Sequence, residues 1–428
     1  MKRAPRSQRP PRSAAAGRAL VTLVCALLAL LPVTAGTAHA EGEGLQRQEW
    51  ALQALHAKEA WKTTKGRGIT VAVLDTGVDG SHPDLRRNVR GGKDMIRMGA
   101  EKGDRHWARH GTAMAGIIAG HGHGKGGKDG VLGIAPEARI LPVRVLLEEK
   151  DPDRAKARDR RKSALADGIR WAADHGADVI NLSLGDDSDS AHPDAREDAA
   201  VRYALRKGVV VVASAGNGGE NGDHVSYPAA YPGVIAVAAV DRKGARAAFS
   251  TRRWYATVAA PGKDILIADP DRTYYQGWGT SAAAAFTSGA VALVRAAHPD
   301  LSPAQIKKLI SDTAGHTPEG GRSDAVGTGI VDPAAAIEMG SHVEPREQRP
   351  AVGTYGKKFF GSARPGAGGP GWFAILAAVL GAVLIGTALA VHRGFTPRIP
   401  RRPPARAGWP GSGPQGGQGG QGPPPGRP

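Results

Sequence analysis

The chain has 428 residues, 41% apolar and 23% charged, with a formal net charge of +17 and one cysteine. The apolar share excludes a disordered chain, and a lone cysteine excludes an internal disulfide framework. Six of the positive charges (Lys2, Arg3, Arg6, Arg9, Arg12, Arg18) lie at the amino end and six (Arg393, Arg398, Arg401, Arg402, Arg406, Arg427) in the tail. Setting these twelve aside leaves +5, so the basic balance is no nucleic-acid footprint and no nucleic-acid partner is expected.

Residues 1–40 read as a signal peptide. A basic stretch without acids precedes the apolar run Ala19 to Thr34, and Ala38-His39-Ala40 fits a signal peptidase site. No adjacent arginine pair marks the twin-arginine route, and Val24 before Cys25 argues against a lipoprotein site. The mature protein then has no cysteine and no disulfide, although it is exported. Residues 41–65 form a short amino-terminal extension, followed by one large domain over 66–341.

Three segments of that domain carry the chemistry. Ile69 to Leu74 is a β-branched, apolar run that predicts a buried parallel strand, ended by Asp75-Thr76-Gly77. An acid there sits where open α/β sheets place their ligands. His110-Gly111-Thr112 opens a small-residue helix through Gly120, and Gly279-Thr280-Ser281 opens another that runs to His298. Asp75, His110 and Ser281 thus supply an anion, a base and a nucleophile, 35 and 171 residues apart. Val209 to Ala213 predicts a strand, and the turn Ser214-Ala215-Gly216-Asn217-Gly218 after it offers the Asn217 amide to an oxyanion. Asp-Thr-Gly also marks aspartic proteases, but those need two aspartates sharing a proton, and this chain has one such motif.

Other segments read as bland. Gly122 to Gly127 fits G-x-G-x-x-G, yet no predicted strand precedes it, which leaves a glycine-rich loop. His121 and His123 flank that loop with no carboxylate or cysteine at ligand spacing, so no metal is expected. The run Glu148 to Lys162 is dense in both charge signs and reads as a surface loop leading into the helix Ser163 to His175, with selection of substrates near a cleft as the alternative. The strand Asp178 to Leu182 follows, ending in Ser183-Leu184-Gly185.

Beyond the domain, residues 342–370 are a polar, glycine- and proline-rich stalk. Gly371 to Val391 is uncharged over 21 residues, about 31 Å of helix and enough to cross a bilayer. Arginines follow at once, which predicts a single span with the catalytic domain outside and the tail, 392–428, in the cytoplasm.

Together these segments resemble the subtilisin-like serine proteases (subtilases). The match extends to Gly133-Ile134-Ala135-Pro136 and Ala260-Pro261-Gly262 and covers roughly residues 45 to 340. The resemblance implies an α/β, subtilisin-like three-layer fold with a mostly parallel central sheet, here with one C-terminal transmembrane helix. It implies that Asp75 orients, His110 is the base, Ser281 attacks and Asn217 donates to the oxyanion. It makes Ser183, Leu184 and Gly185 an edge for an extended polypeptide substrate and counts Ala215 and Gly216 among the substrate-binding residues. No cofactor is implied. Ala282 and Ala285 stand where the family has a bulky residue and a proline, and Ala113-Met114 replaces its usual His-Val.

The order of signal, short extension, protease domain, stalk, single span and basic tail resembles the mycosins. These are membrane-anchored subtilases associated with type VII secretion. That resemblance implies two partners, the cell membrane and a type VII secretion membrane complex. Mycosins often carry disulfides in the protease domain, and none is available here.

Overall fold

A computed structural model of the chain describes residues 43–346, 381–385 and 387–389. The expected signal peptide and cytoplasmic tail lie outside the described residues, as do most of the stalk and most of the expected span. Among the described residues no helix is long and apolar enough to cross a membrane. Within the expected span, 381–385 and 387–389 are helical, and Val383, Leu384, Ile385 and Leu389 are exposed.

Eleven strands are described: β1 (Thr70–Asp75), β2 (Lys93–Asp94), β3 (His121–His123), β4 (Asp129–Leu132), β5 (Arg139–Arg144), β6 (Val179–Leu182), β7 (Val210–Ser214), β8 (Ile235–Val240), β9 (Ala256–Pro261), β10 (Ile265–Ala268) and β11 (Tyr274–Gly277). Seven of them form one sheet in the order β2-β5-β1-β6-β7-β8-β9. Every neighbouring pair in it is parallel, with Val71 opposite Val179 and Asp75 opposite Arg144. β1, β6, β7, β8 and β9 are buried along their whole length. Such strands need apolar residues on both faces, hence the unbroken runs in the sequence.

Side-chain alternation places helices on both faces. Val71 and Val73 join one core cluster with residues of the helices Arg109–Ala119 and Thr280–Ala297. Leu74 points the other way, toward Gly168 of the helix Ala164–Asp174; a Cβ on Gly168 would lie 3.5 Å from Leu74 and 3.3 Å from Val143. Three layers result. From β1 the chain runs to β2 and then β5 on one side and afterwards crosses to β6 on the other, so the strand order reverses between β1 and β6. A crevice opens there, at the carboxyl ends of the strands.

The residues expected as a bare extension also build the core. Leu45, Leu52, Leu55, Ala57 and Ala60 are buried, and the indole of Trp61 donates to the Ile134 carbonyl at 2.7 Å. The expected glycine-rich loop at 122–127 differs as well. β3 and β4 pair antiparallel around the 3₁₀ turn Lys125–Gly127, making a short hairpin. Asp84, fully buried, ties that hairpin down. Its carboxylate takes His123 Nδ1 at 2.6 Å, the Val131 N–H at 2.9 Å and the Tyr274 hydroxyl of β11 at 2.9 Å. No period-two pattern announces a three-residue strand, and the partner of His123 lies 39 residues upstream.

The helix Thr280–Ala297 is buried on every side except at Ser281 and its last two residues. Its alanines and glycine allow that burial. At Gly289 a Cβ would sit 2.1 Å from Ile134 Cγ2 and 3.4 Å from the Ile118 carbonyl. Gly289→Ala should therefore destabilise the fold by about 1–3 kcal/mol through overpacking. Ile134→Ala, which removes that Cγ2, should cost less in the Gly289→Ala background than in the parent, a coupling that denaturant melts of the four proteins would show. A neutral Gly289→Ala would show that this contact is loose.

Candidate active site

Asp75 ends β1 fully buried, and its Oδ1 accepts the Thr76 N–H at 2.7 Å. His110 is the second residue of the helix Arg109–Ala119, and its Nδ1 lies 2.8 and 2.9 Å from the two Asp75 oxygens. Gly111 makes that approach feasible: a Cβ there would lie 1.9 Å from the Gly77 carbonyl oxygen. A carboxylate accepts and does not donate, so Nδ1 carries the proton and Nε2 is left as the basic nitrogen. The His110 backbone N–H donates to Glu148 Oε1 at 2.8 Å. Burial works against the imidazolium. The Asp75 charge, its hydrogen bond and the Glu148 charge outweigh burial and the opposing Arg154 charge, pushing His110 up to about 8.

Ser281 sits in the first turn of its helix, after Gly279 at φ 143°, ψ 155°, a conformation that favours glycine. Its hydroxyl donates to the Ser183 carbonyl at 3.2 Å, and the Ser183 hydroxyl returns a bond to the Ser281 carbonyl at 2.8 Å. Behind them, buried Asn181 donates to the Ser183 hydroxyl at 3.0 Å and accepts from Ser288 Oγ at 2.9 Å. These bonds fasten the helix to the end of β6. Sequence reasoning missed Asn181 and Ser288. The available signal was a polar residue inside the apolar run Val179 to Leu182, which has to be satisfied when buried.

Asn217 follows β7 in the turn that the sequence predicts. Its Oδ1 accepts both the backbone N–H and the hydroxyl of Thr280, each at 2.9 Å. An N–H can only donate, so the amide oxygen faces Thr280 and the Nδ2 hydrogens are left for another acceptor. The Asn217 backbone N–H donates to Asp187 Oδ2 at 2.9 Å.

These groups meet on one cleft of about 840 Å³, lined by His110, Ser183, Leu184, Gly185, Gly216, Asn217 and Ser281. Asp75 stands behind His110. Ala215 does not line the cleft. It is buried, with its N–H on the Val237 carbonyl and its own carbonyl taking the Tyr255 hydroxyl, because it continues the sheet ladder. The charged run differs from the surface loop expected of it: Arg154–Arg160 is a helix, and Arg154, Arg158, Arg161 and Lys162 line the cleft wall beside Glu148. Among the described residues no group of three or more His, Cys, Asp or Glu is arranged to hold a metal ion.

Known proteins share this architecture. A family model described as the subtilase family matches residues 66–329. Subtilisin Savinase of Lederbergia lenta is 36% identical over 292 residues, covering 68% of this chain and 99% of that protein. Fervidolysin of Fervidobacterium pennivorans is 36% identical over 332 residues, and there the chain spans only 45% of the relative's length. Among solved structures, the MycP3 protease from the type VII (ESX-3) secretion system superposes with a TM-score of 0.57 at 33% identity, covering 67% of this chain and 87% of that one.

The pairing of His110 with Asp75 has a measurable consequence. The His110 ring resonance should titrate with a midpoint near 8, and Glu148→Gln should lower that midpoint by removing one of the charges that raise it. The folded-state value lies above the ordinary 6.5. The stability this pair contributes is therefore fully present below about pH 6.5 and lost as pH rises through about 8. A midpoint at or below 6.5 would contradict the arrangement.

Proposed function

The chain belongs to the subtilase family and is a subtilisin-like serine endopeptidase, and from that premise we propose that it cleaves polypeptides through an acyl-enzyme formed on Ser281. The carrying observation is the His110–Asp75 pair on the same cleft as Ser281 and Asn217. His110 acts as base through Nε2. Its protonated form cannot accept the serine proton, so activity rises with pH through about 8. The Ser281 hydroxyl leaves the Ser183 carbonyl for Nε2 as it attacks. Asp75 holds the ring and stabilises the imidazolium, which later returns the proton to the leaving amine. Asn217 Nδ2 donates to the oxyanion, with the amide oxygen anchored on Thr280. Ser183 to Gly185 pair with the extended substrate backbone.

The protein is further read as anchored in the cell membrane by residues 371–391, with its catalytic domain outside. The uncharged stretch and the arginines after it support this reading. The order of segments, and the likeness to a protease from a type VII secretion system, support a role beside such a membrane complex.

A fluorophosphonate probe should label Ser281, and Ser281→Ala should abolish labelling. Asn217→Ala should lower kcat by about 10² to 10³ with little change in KM, a magnitude carried over from subtilisin rather than from this geometry. A rise in KM at constant kcat would instead assign Asn217 to substrate binding. Protease added to intact cells should remove the catalytic domain and spare an epitope on the tail; the reverse pattern would refute the proposed orientation.

A further inference from the structure

Two side-chain-free walls bound one lobe of the cleft. A Cβ on Gly185 would lie 2.6 Å from Ser226 Oγ, and one on Gly216 would lie 3.2 Å from Ser226 Cβ and 3.3 Å from Asp187 Oδ2. All four residues line the cleft, and with no side chain on either glycine the cleft narrows there to a slot with Ser226 at its base and Asp187 at its side. Ser226 Oγ is fully buried and has no hydrogen-bond partner among the described residues, so the slot ends in an unsatisfied polar atom. Four carboxylates line this lobe: Asp186, Asp187, Asp194 and Glu197. None of them forms an ion pair among the described residues. Asp187 uses Oδ2 on the Asn217 N–H, Asp186 accepts from Ser188, Asp194 caps the helix Ala195–Arg206, and Glu197 accepts from Tyr231.

The clustering has an electrostatic cost. Burial raises the Glu197 carboxyl. The Tyr231 hydrogen bond and, more weakly, the His192 charge oppose this, and the Asp194 and Asp186 charges add to the rise. A cation entering the lobe would relieve that repulsion. The arginines of the cleft stand on the helix Arg154–Arg160 and just after it, beside Glu148. On the acidic side only His192 is potentially cationic, and its Nδ1 bonds to the Ser190 carbonyl.

We propose that the slot between Gly185 and Gly216 selects a lysine or arginine side chain on the residue preceding the scissile bond, with Asp187 as the specificity-determining counter-ion. Asp187 bonds to the backbone of Asn217, whose side chain holds Thr280, the neighbour of Ser281. The counter-ion thus bonds to the backbone of the proposed oxyanion donor itself. The inference rests on the reading of Ser281 as nucleophile.

The test uses the full chain in detergent with fluorogenic peptides identical except for Lys, Arg, Leu, Phe or Glu before the cleaved amide. Lys and Arg peptides should exceed the Leu peptide in kcat/KM by at least about tenfold, and added salt should narrow the gap. Asp187→Asn keeps an acceptor for the Asn217 N–H and should collapse the Lys-to-Leu ratio toward unity. Asp187→Ser, which shortens the side chain, should do the same. A preference for Leu or Phe in the unmodified chain, or a ratio unmoved by both variants, overturns the proposal. Fluorophosphonate labelling of the same samples separates the two readings. Labelling together with an apolar preference sinks only the specificity, whereas no labelling and no hydrolysis of any peptide sinks the catalytic reading and this one together.

Discussion

Backbone-distance packing of two helices governs this molecule. The start of Arg109–Ala119 lies so close to the turn after β1 that Gly111 faces the Gly77 carbonyl without room for a methyl group. The middle of Thr280–Ala297 meets Ile134 with the same economy at Gly289. Small residues are therefore a geometric requirement. A larger side chain at either point would lift its helix off the sheet and move His110 or Ser281 with it. Interiors are packed too tightly to absorb such a shift locally.

That constraint explains why so much was legible in the sequence. Asp75, His110, Ser281 and Asn217 stand among glycines, alanines and threonines because close backbones surround them, and such neighbourhoods are visible without coordinates. Parallel strands buried on both faces write themselves as apolar runs, so β1, β6 and β7 were found to within a residue or two. What escaped is relational. Asn181 finds Ser288 107 residues away. Ala215 turns into the sheet while its neighbour Gly216 faces the cleft. The helix Arg154–Arg160 is polar nearly all round, with only Ala157 buried, so hydrophobic periodicity could not reveal it.

The cleft is electrically uneven, and each side bears on a different step. Beside His110, Glu148 and Arg154 act on the imidazole in opposite senses, with the acid nearer in effect. Across the slot, the carboxylates act on whatever side chain enters. Tuning of the base and choice of substrate are thus divided between two walls. A change in one can leave the other largely untouched, as expected of charges separated by a wet, screening groove.

Asp84 joins three stretches of chain that are distant in sequence: its own turn, the β3–β4 hairpin and β11. Short hairpins rich in glycine open locally more readily than core strands do, and proteolysis follows such opening. Here the hairpin cannot peel away without stranding a buried carboxylate, which is costly. Its opening is tied to the disruption of two other segments. An opened glycine-rich turn is also the kind of extended segment that a protease active site accepts. By holding the hairpin shut, the buried aspartate works against cleavage at that turn.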